Sequence, residues 1–185
     1  MGAKLSSEEN IDLLKRLVIA HADLQTALSA ITFLNDEVDN DAKYSKIELR
    51  KIKCFETAFI ISYGRAFTNS KGRYQNLPLK RIGVKLSDNE KIMHRRIIDL
   101  RNKVYAHSDE NFAHVRLDIH KRNTTEFTYH IPHLQFDEGL VFHDFRDRLE
   151  AMDLIRKIIH YLLTNINEFA QKNPGISLYL RPVQN

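Results

Sequence analysis

The stretch LLKRLVIAHADLQTALSAITFL, residues 13 to 34, decides the fold class of this chain. Apolar residues recur in it at steps of four and three, which places them on one face of an α-helix. These positions are Leu13, Leu17, Ala20, Leu24, Ala27, Ile31 and Leu34. Upstream, Ser6 and Glu9 have the spacing of a capping box, so we predict that the first helix begins at Ser6 or Ser7.

Two further segments carry the same helical periodicity. A second helix is predicted from about Lys46 to Thr68, and the small residues at the far end of its stripe would let another backbone approach closely. The stripe consists of Ile52, Phe55, Phe59, Ser62 and Ala66. A third helix opens at Ser87, which has capping-box spacing to Glu90. Its stripe is Met93, Ile97, Leu100 and Val104, and the next position in register is His107.

A fourth helix is predicted from about Gly139 to Gln171, ended by the turn residues 173–175. Its stripe is Phe145, Leu149, Met152, Ile155, Ile159, Leu162, Ile166 and Phe169. Between the third and fourth helices, residues 112–135 alternate apolar and polar side chains, which is typical of an inserted β-hairpin. We therefore predict a single all-α domain over residues 1–185: a bundle of four long helices with a small β-hairpin and a short C-terminal tail.

Composition limits the classes of protein that fit. The chain has 185 residues, 43% of them hydrophobic and 28% charged, which is ordinary for a globular domain. It has one cysteine, Cys54, and shows neither a secretory leader nor a run of about 20 apolar residues, so we expect a cytoplasmic protein without membrane contact. No phosphate-binding glycine loop, nucleophile elbow or HExxH motif is present, and we expect neither a cofactor nor a metal.

A basic interval precedes the third helix. No acidic residue occurs between Thr57 and Ser87, and the net charge of the chain is +4. The interval is interpreted either as a solvated basic loop or as a strip that contacts phosphates. On the second interpretation, the RNA-binding candidates are Arg73, Lys80, Arg81, Lys85 and, on the third helix, Arg95.

The segment RNKVYAHSDE, residues 101–110, concentrates the unusual chemistry. It is either a charged helix end with a satisfied histidine, which helix geometry alone favours, or a site that cleaves a phosphodiester without metal. The second interpretation has the required groups: the titratable imidazole of His107, the planar cation of Arg101 and the amide of Asn102. At ~100° per residue, the arginine and the histidine lie about a third of a turn apart on an ideal helix. They would converge if the helix breaks at His107, or if two copies meet across a dimer axis.

The segment LRNKVYAHSD resembles the signature of the HEPN superfamily and is most similar to its abortive-infection-type branch. The resemblance implies an all-α homodimer formed through the motif helices. It also implies a metal-independent endoribonuclease, often a toxin or phage-defence effector, and allows an antitoxin or nucleotidyltransferase as a further partner. Arg101, Asn102 and His107 match the catalytic set of the family, and Tyr105 and Asp109 are candidates for supporting residues.

The resemblance also implies a role for each residue. His107 would transfer a proton at the ribose 2′-hydroxyl or the leaving 5′-oxygen, Arg101 would stabilise the phosphate charge, and Asn102 would orient the histidine or the phosphate. One subgroup, paired with a nucleotidyltransferase antitoxin, carries a tyrosine where this chain has Asp109, so regulation through that tyrosine is not expected here. Two alternatives stay open: a non-catalytic HEPN-like module that binds a nucleotide, RNA or a protein, and a scaffold or antitoxin-like bundle with a structural His107.

Overall fold

The computed structural model describes residues 7–68, 76–77, 79–105, 115–124, 127–136, 139–175 and 177–178. Within these ranges the α-helices are α1 (Ser7–Glu37), α2 (Lys46–Phe67), α3 (Asp88–Leu100) and α4 (Phe145–Lys172). A 3₁₀ turn, Leu79–Ile82, precedes α3, and a π-helical turn, Arg101–Tyr105, follows it. Strands β1 (Val115–Asn123) and β2 (Thr128–Phe136) pair antiparallel. The described chain is thus mostly helical with one small sheet, which confirms the all-α class and the inserted hairpin.

The core lies between the four helices. Helix α1 packs against α2 and α4, and α3 packs against the same two helices. The stripe predicted on α1 is confirmed, since every member from Leu17 to Leu34 is buried and Leu13 lies at the edge of the core. On α2, Ile52, Phe59, Ser62 and Ala66 are buried as predicted.

The apolar composition of α1 also meets a test for membrane-spanning helices. By length and composition Asn10–Glu37 would be able to cross a bilayer, since an 18-residue window in it has a mean hydropathy of 1.4. The core helix of a soluble protein passes the same test. In this chain the apolar stripe of α1 packs against α2 and α4.

The start of α3 is fixed both by its own residues and by α4. The predicted capping box is confirmed: the Glu90 amide donates to Ser87 Oγ (3.3 Å), and the Ser87 amide donates to Glu90 Oε2 (2.6 Å). The same carboxylate accepts from Lys157 Nζ on α4 at 2.8 Å. A second capping box, Ser45 with Glu48, opens α2. The box predicted at Ser6 and Glu9 lies outside the residues whose side chains are described.

We predict that Glu90→Gln lowers the free energy of unfolding at pH 7 by about 1 kcal/mol, because the ion pair with Lys157 is lost while the cap is retained. Hydrogen bonds from Lys157 hold the pKa of the Glu90 carboxyl below its usual value of 4.5. A carboxyl group whose pKa is lower in the folded than in the unfolded state stabilises the fold at a pH above its unfolded-state pKa. That contribution is lost as the pH falls through the folded-state pKa. The deficit of the variant should therefore vanish on acidification in urea-unfolding curves. A deficit that persists at pH 2, or an equal effect of Glu150→Gln at an exposed site on α4, would contradict this account.

The predicted start of α4 is wrong. The helix begins at Phe145 rather than near Gly139, and Asp144 is its N-cap, with Oδ1 accepting from the Arg146 amide at 2.7 Å. The predicted stripe also fails at its first two positions, since Phe145 is 48% exposed and Leu149 37%. A buried arginine, Arg148, faces the core there instead, and from Met152 to Leu162 the stripe is buried as predicted.

Two buried charges hold the segment before α4. Glu56 on α2 accepts from the Phe142 amide through Oε1 (2.7 Å) and from Lys53 Nζ through Oε2 (2.6 Å). Arg148 donates to the carbonyls of Phe142 (3.1 Å) and His143 (2.6 Å) and to Asn35 Oδ1 on α1 (3.1 Å). The Phe142 ring is thereby placed edge-on to Phe59, with ring centroids 5.1 Å apart. The backbone of this loop is thus held by polar groups from α2 and α4, and Asn35 on α1 in turn holds Arg148.

Candidate functional site

The hydrogen bonding of α3 changes at the predicted motif. The Arg101 amide donates to the carbonyls of both Ile97 and Ile98, and the backbone then continues as the π-helical turn Arg101–Tyr105. Single π turns are rare and occur frequently at functional sites. The departure from ideal helix geometry therefore begins at Arg101 itself, earlier than the break considered at His107.

The Arg101 side chain lies against the backbone of α2. A Cβ atom added at Gly64 would lie 2.5 Å from Arg101 Cγ and 3.0 Å from its Cβ, so the stem of the arginine fills the space of the missing side chain. Glycine inside a helix costs about 1 kcal/mol relative to alanine, and here it permits this close approach. The sequence predicted that small residues on α2 would let another backbone approach closely. In the structure the glycine is Gly64, outside the predicted stripe, and the approaching group is a side chain.

The Arg101 guanidinium is half-buried and retains hydrogen-bonding capacity. Its Nη1 donates to Asn102 Oδ1 at 2.9 Å, whereas its Nε is buried and has no hydrogen-bond partner among the described residues. An unpaired buried donor costs about 1–3 kcal/mol. Because the Asn102 oxygen faces the arginine, the amide nitrogen remains to donate elsewhere. Together the two side chains present donors suited to a phosphate.

In a charged helix end, Arg101 would pair with a nearby carboxylate such as Asp99 or Glu90. No ion pair joins Arg101 to another residue in the described ranges, and Glu90 is instead bonded to Lys157 and Ser87. The guanidinium therefore has neither of the carboxylate partners, Asp99 or Glu90, that a purely structural surface arginine would use at this position.

The C-terminal end of α2, which carries Gly64, is held by α1. The Arg16 guanidinium donates to the carbonyl of Arg65 at 3.2 Å and also to that of Ala66. Asp23 pairs with Arg65 at 3.3 Å. Burial lowers the pKa of Arg16 and raises the pKa of Asp23, although the two arginines oppose the shift of the carboxyl. These contacts satisfy carbonyls that the helix itself leaves free.

We predict that Gly64→Ala and Arg101→Ala are strongly coupled. In the wild-type background, Gly64→Ala should lower the free energy of unfolding, because the new methyl overlaps the arginine stem. In the Arg101→Ala background, the same substitution should cost clearly less, because Cγ and Cδ are gone and only the contact with the remaining Cβ at 3.0 Å persists. A double-mutant cycle by urea unfolding measures the difference. Equal effects of Gly64→Ala in both backgrounds would refute the contact.

The other predicted site residues are distributed as follows. Lys80 and Arg81 lie in the 3₁₀ turn, Lys85 follows it, and Arg95 lies on α3, all with exposed side chains. Tyr105 ends the π-helical turn, and its side chain is not among those described. Arg73, His107 and Asp109 lie outside the described residues. The structure therefore brings Arg101 and Asn102 together. The catalytic role of His107 stays a prediction.

A second histidine, His94, was missed in the sequence. Its Nδ1 is 2.7 Å from the Tyr63 hydroxyl on α2, and its ring lies edge-on to Phe67 with centroids 4.9 Å apart. Burial lowers the pKa of His94 and raises the pKa of Tyr63, so both are neutral at pH 7. The available signal was its spacing: His94 lies about two helical turns before Arg101, on the same face of α3.

The described histidines of the hairpin, His120, His130 and His133, are not arranged as a metal centre. His120 and His133 share one face of the sheet, with ring centroids 5.5 Å apart. The register pairs His130 with Lys121, which places it on the opposite face. Within the part of the chain that the structure describes, no group of three or more histidine, cysteine, aspartate or glutamate side chains is placed to hold a metal ion.

Comparison with known proteins gives no match: no protein-family model, no curated protein and no solved structure is similar to this chain. The similarity to the HEPN superfamily therefore depends on the motif in the sequence. What supports a function is the geometry around Arg101.

Proposed function

We propose that this protein is a metal-independent endoribonuclease of the HEPN type, acting in the cytoplasm as a toxin or phage-defence effector. The observation that carries the proposal is the placement of Arg101. Its stem lies against Gly64, its Nη1 is bonded to Asn102, and its buried Nε lacks a partner among the described residues. A fixed planar cation with free donors is suited to a phosphate on which negative charge increases during reaction.

In the proposed reaction the ribose 2′-oxygen attacks the adjacent phosphorus and the bond from phosphorus to the 5′-oxygen breaks. His107 takes the proton of the 2′-hydroxyl or donates one to the leaving 5′-oxygen. Arg101 donates to the non-bridging oxygens, and the Asn102 amide nitrogen orients the phosphate. The products are a 2′,3′-cyclic phosphate and a 5′-hydroxyl, so DNA is not a substrate.

The finer architecture belongs to the same proposal. The four helices form one bundle over residues 1–185, and two copies associate through α3 and its π-helical turn. Arg101 and His107 point apart on a single ideal helix, so one chain alone does not bring them together. A homodimer of this kind would place two copies of each residue in one cleft. An antitoxin or nucleotidyltransferase is a further partner class. Regulation through a tyrosine is not part of the proposal, because this chain has Asp109 at the position of that tyrosine.

Incubation of the full chain with RNA in EDTA tests the activity. We expect fragments from the wild type, none from His107→Ala, and no dependence on added divalent metal. An exposed histidine on α4, His160, supplies the matched control, His160→Ala, which should cleave like the wild type. Absence of cleavage by the wild type above the His107→Ala background, over a range of RNAs and activating conditions, would refute the proposal.

A second candidate is a non-catalytic module that binds RNA or a nucleotide. It is favoured by the described part of the motif, since Arg101 and Asn102 offer donors suited to an anion and no group suited to transfer a proton. The exposed cations Lys80, Arg81 and Lys85 would add contacts to phosphates. Tight, salt-dependent RNA binding that Arg101→Ala weakens, together with no cleavage by the wild type, would select this candidate.

A further inference from the structure

A cavity of about 400 Å³ lies between α3 and the segment that precedes it. Its lining residues are Leu79, Val84 and Leu86 from that segment, and Lys91, His94, Arg95 and Ile98 from α3. Small-molecule sites commonly have volumes of about 300–1,000 Å³, are mostly apolar and carry a few placed polar groups. This cavity has that composition.

The cavity lies one helical turn before Arg101 along α3, since its last lining residue is Ile98. Its residues on α3 follow the spacing of one helix face, from Lys91 through His94 and Arg95 to Ile98. Asn102 continues this face four positions after Ile98, whereas Arg101 lies at its edge, about a third of a turn from Arg95. A molecule that fills the cavity would therefore lie beside a phosphate bound at Arg101.

The walls combine apolar surface with a free cation. Leu79, Val84, Leu86 and Ile98 provide the apolar part. Of the two cations, Lys91 is bonded to Asp88 at 2.8 Å, whereas Arg95 forms no ion pair with a described residue. The cavity thus suits a molecule with an apolar body and one anionic group.

His94 adds a polar group that is fixed in position and uncharged. The Tyr63 hydroxyl engages Nδ1, and Tyr63 and Phe67 both hold the ring edge-on. The imidazole is neutral at pH 7, because burial lowers its pKa. Only Nε2 remains for a ligand, and in the neutral ring it donates or accepts a single hydrogen bond, as contact with the polar edge of a nucleobase requires.

We infer that this cavity binds one nucleotide of an RNA chain, with the base against the apolar wall and His94 and with its phosphate on Arg95. The neighbouring phosphate would then lie at Arg101, so the cavity would select the base next to the cleaved bond. This place in the reaction rests on the proposed ribonuclease function. The ligand class rests on the cavity itself, and a mononucleotide alone should bind.

Calorimetric titration of the full chain with the 5′-monophosphates of adenosine, guanosine, cytidine and uridine tests the inference. At least one nucleotide should bind, with different affinities for different bases. Ile98→Trp, which fills the cavity, and Arg95→Gln, an exposed substitution that does not disturb the core, should each weaken binding at least tenfold. Ile92→Trp is the matched control, since Ile92 is on the same helix, 64% exposed and outside the cavity.

Several results would overturn the inference. They are the absence of binding by all four nucleotides at millimolar concentration, binding unchanged in both cavity variants, and tighter binding of octanoate than of any nucleotide. The assay requires no cleavage, so the two proposals fail separately. Nucleotide binding in the cavity without RNA cleavage supports the ligand class and refutes only the ribonuclease. If Ile98→Trp still cleaves RNA with the base preference of the wild type, only the role of the cavity in selecting the base is refuted.

Discussion

Arg101→Ala is expected to lower the rate of RNA cleavage by about 10²- to 10³-fold, the usual cost of removing one preorganised donor to a developing anion. The guanidinium is held in place before substrate binds, because Gly64 receives its stem and Asn102 accepts from Nη1. Arg101→Lys should lose most of the activity as well, since an ammonium has the charge but not the planar fork. Single-turnover rates with enzyme in excess measure the effect on the chemical step.

The matched control for Arg101 is Arg146→Ala, which removes an equal charge from an exposed site on α4. It should retain cleavage within about twofold, apart from a small change in salt dependence. Melting temperatures of all variants separate loss of catalysis from loss of folding. Cleavage by a folded Arg101→Ala variant within threefold of the wild type would exclude Arg101 from the site.

Arg148→Met is expected to lower the free energy of unfolding by about 3 kcal/mol or more. Arg148 is 1% exposed and donates to two backbone carbonyls and Asn35, and each buried acceptor that loses its donor costs about 1–3 kcal/mol. Methionine fills similar space without donating. Urea unfolding followed by circular dichroism gives the free energy, and the melting temperature should fall by about 10 °C.

Arg146→Met is the control for this substitution, since it lies two residues away with an exposed side chain. Its effect should stay within about 0.5 kcal/mol. A loss below 1 kcal/mol for Arg148→Met would show that water or repacking satisfies the carbonyls of Phe142 and His143, and that the segment before α4 does not depend on this arginine.

The sequence predicted the helices well where burial follows apolar periodicity. The stripe of α1 and the cap at Ser87 are local patterns, and both are confirmed. The start of α4 was placed too early because the N-cap at Asp144 was not identified, and its first two stripe positions were wrong because the buried Arg148 breaks the apolar pattern. Arg148 is satisfied by carbonyls of the preceding loop and by Asn35 of α1, and contacts of such separation leave no periodic signal in the sequence.

The candidate site was predictable in part. The motif identified Arg101 and Asn102, since residue types and their order are local. Gly64 and Tyr63 contact the motif helix from α2, and only the packing of α2 on α3 reveals what they do. The π-helical turn likewise has no signature in the apolar stripe, which continues through Leu100 as in an ordinary α-helix.

The most direct measurement of the central claim uses one RNA oligonucleotide and its counterpart with a single 2′-deoxyribose on the 5′ side of the cleaved bond, both in EDTA. We predict that the wild type cuts the RNA to a 2′,3′-cyclic phosphate and leaves that bond of the counterpart intact, and that Arg101→Ala cuts the RNA about 10²- to 10³-fold more slowly. Cleavage of the deoxy-substituted bond at an unchanged rate, or the absence of cleavage of either oligonucleotide by the wild type, would contradict the account.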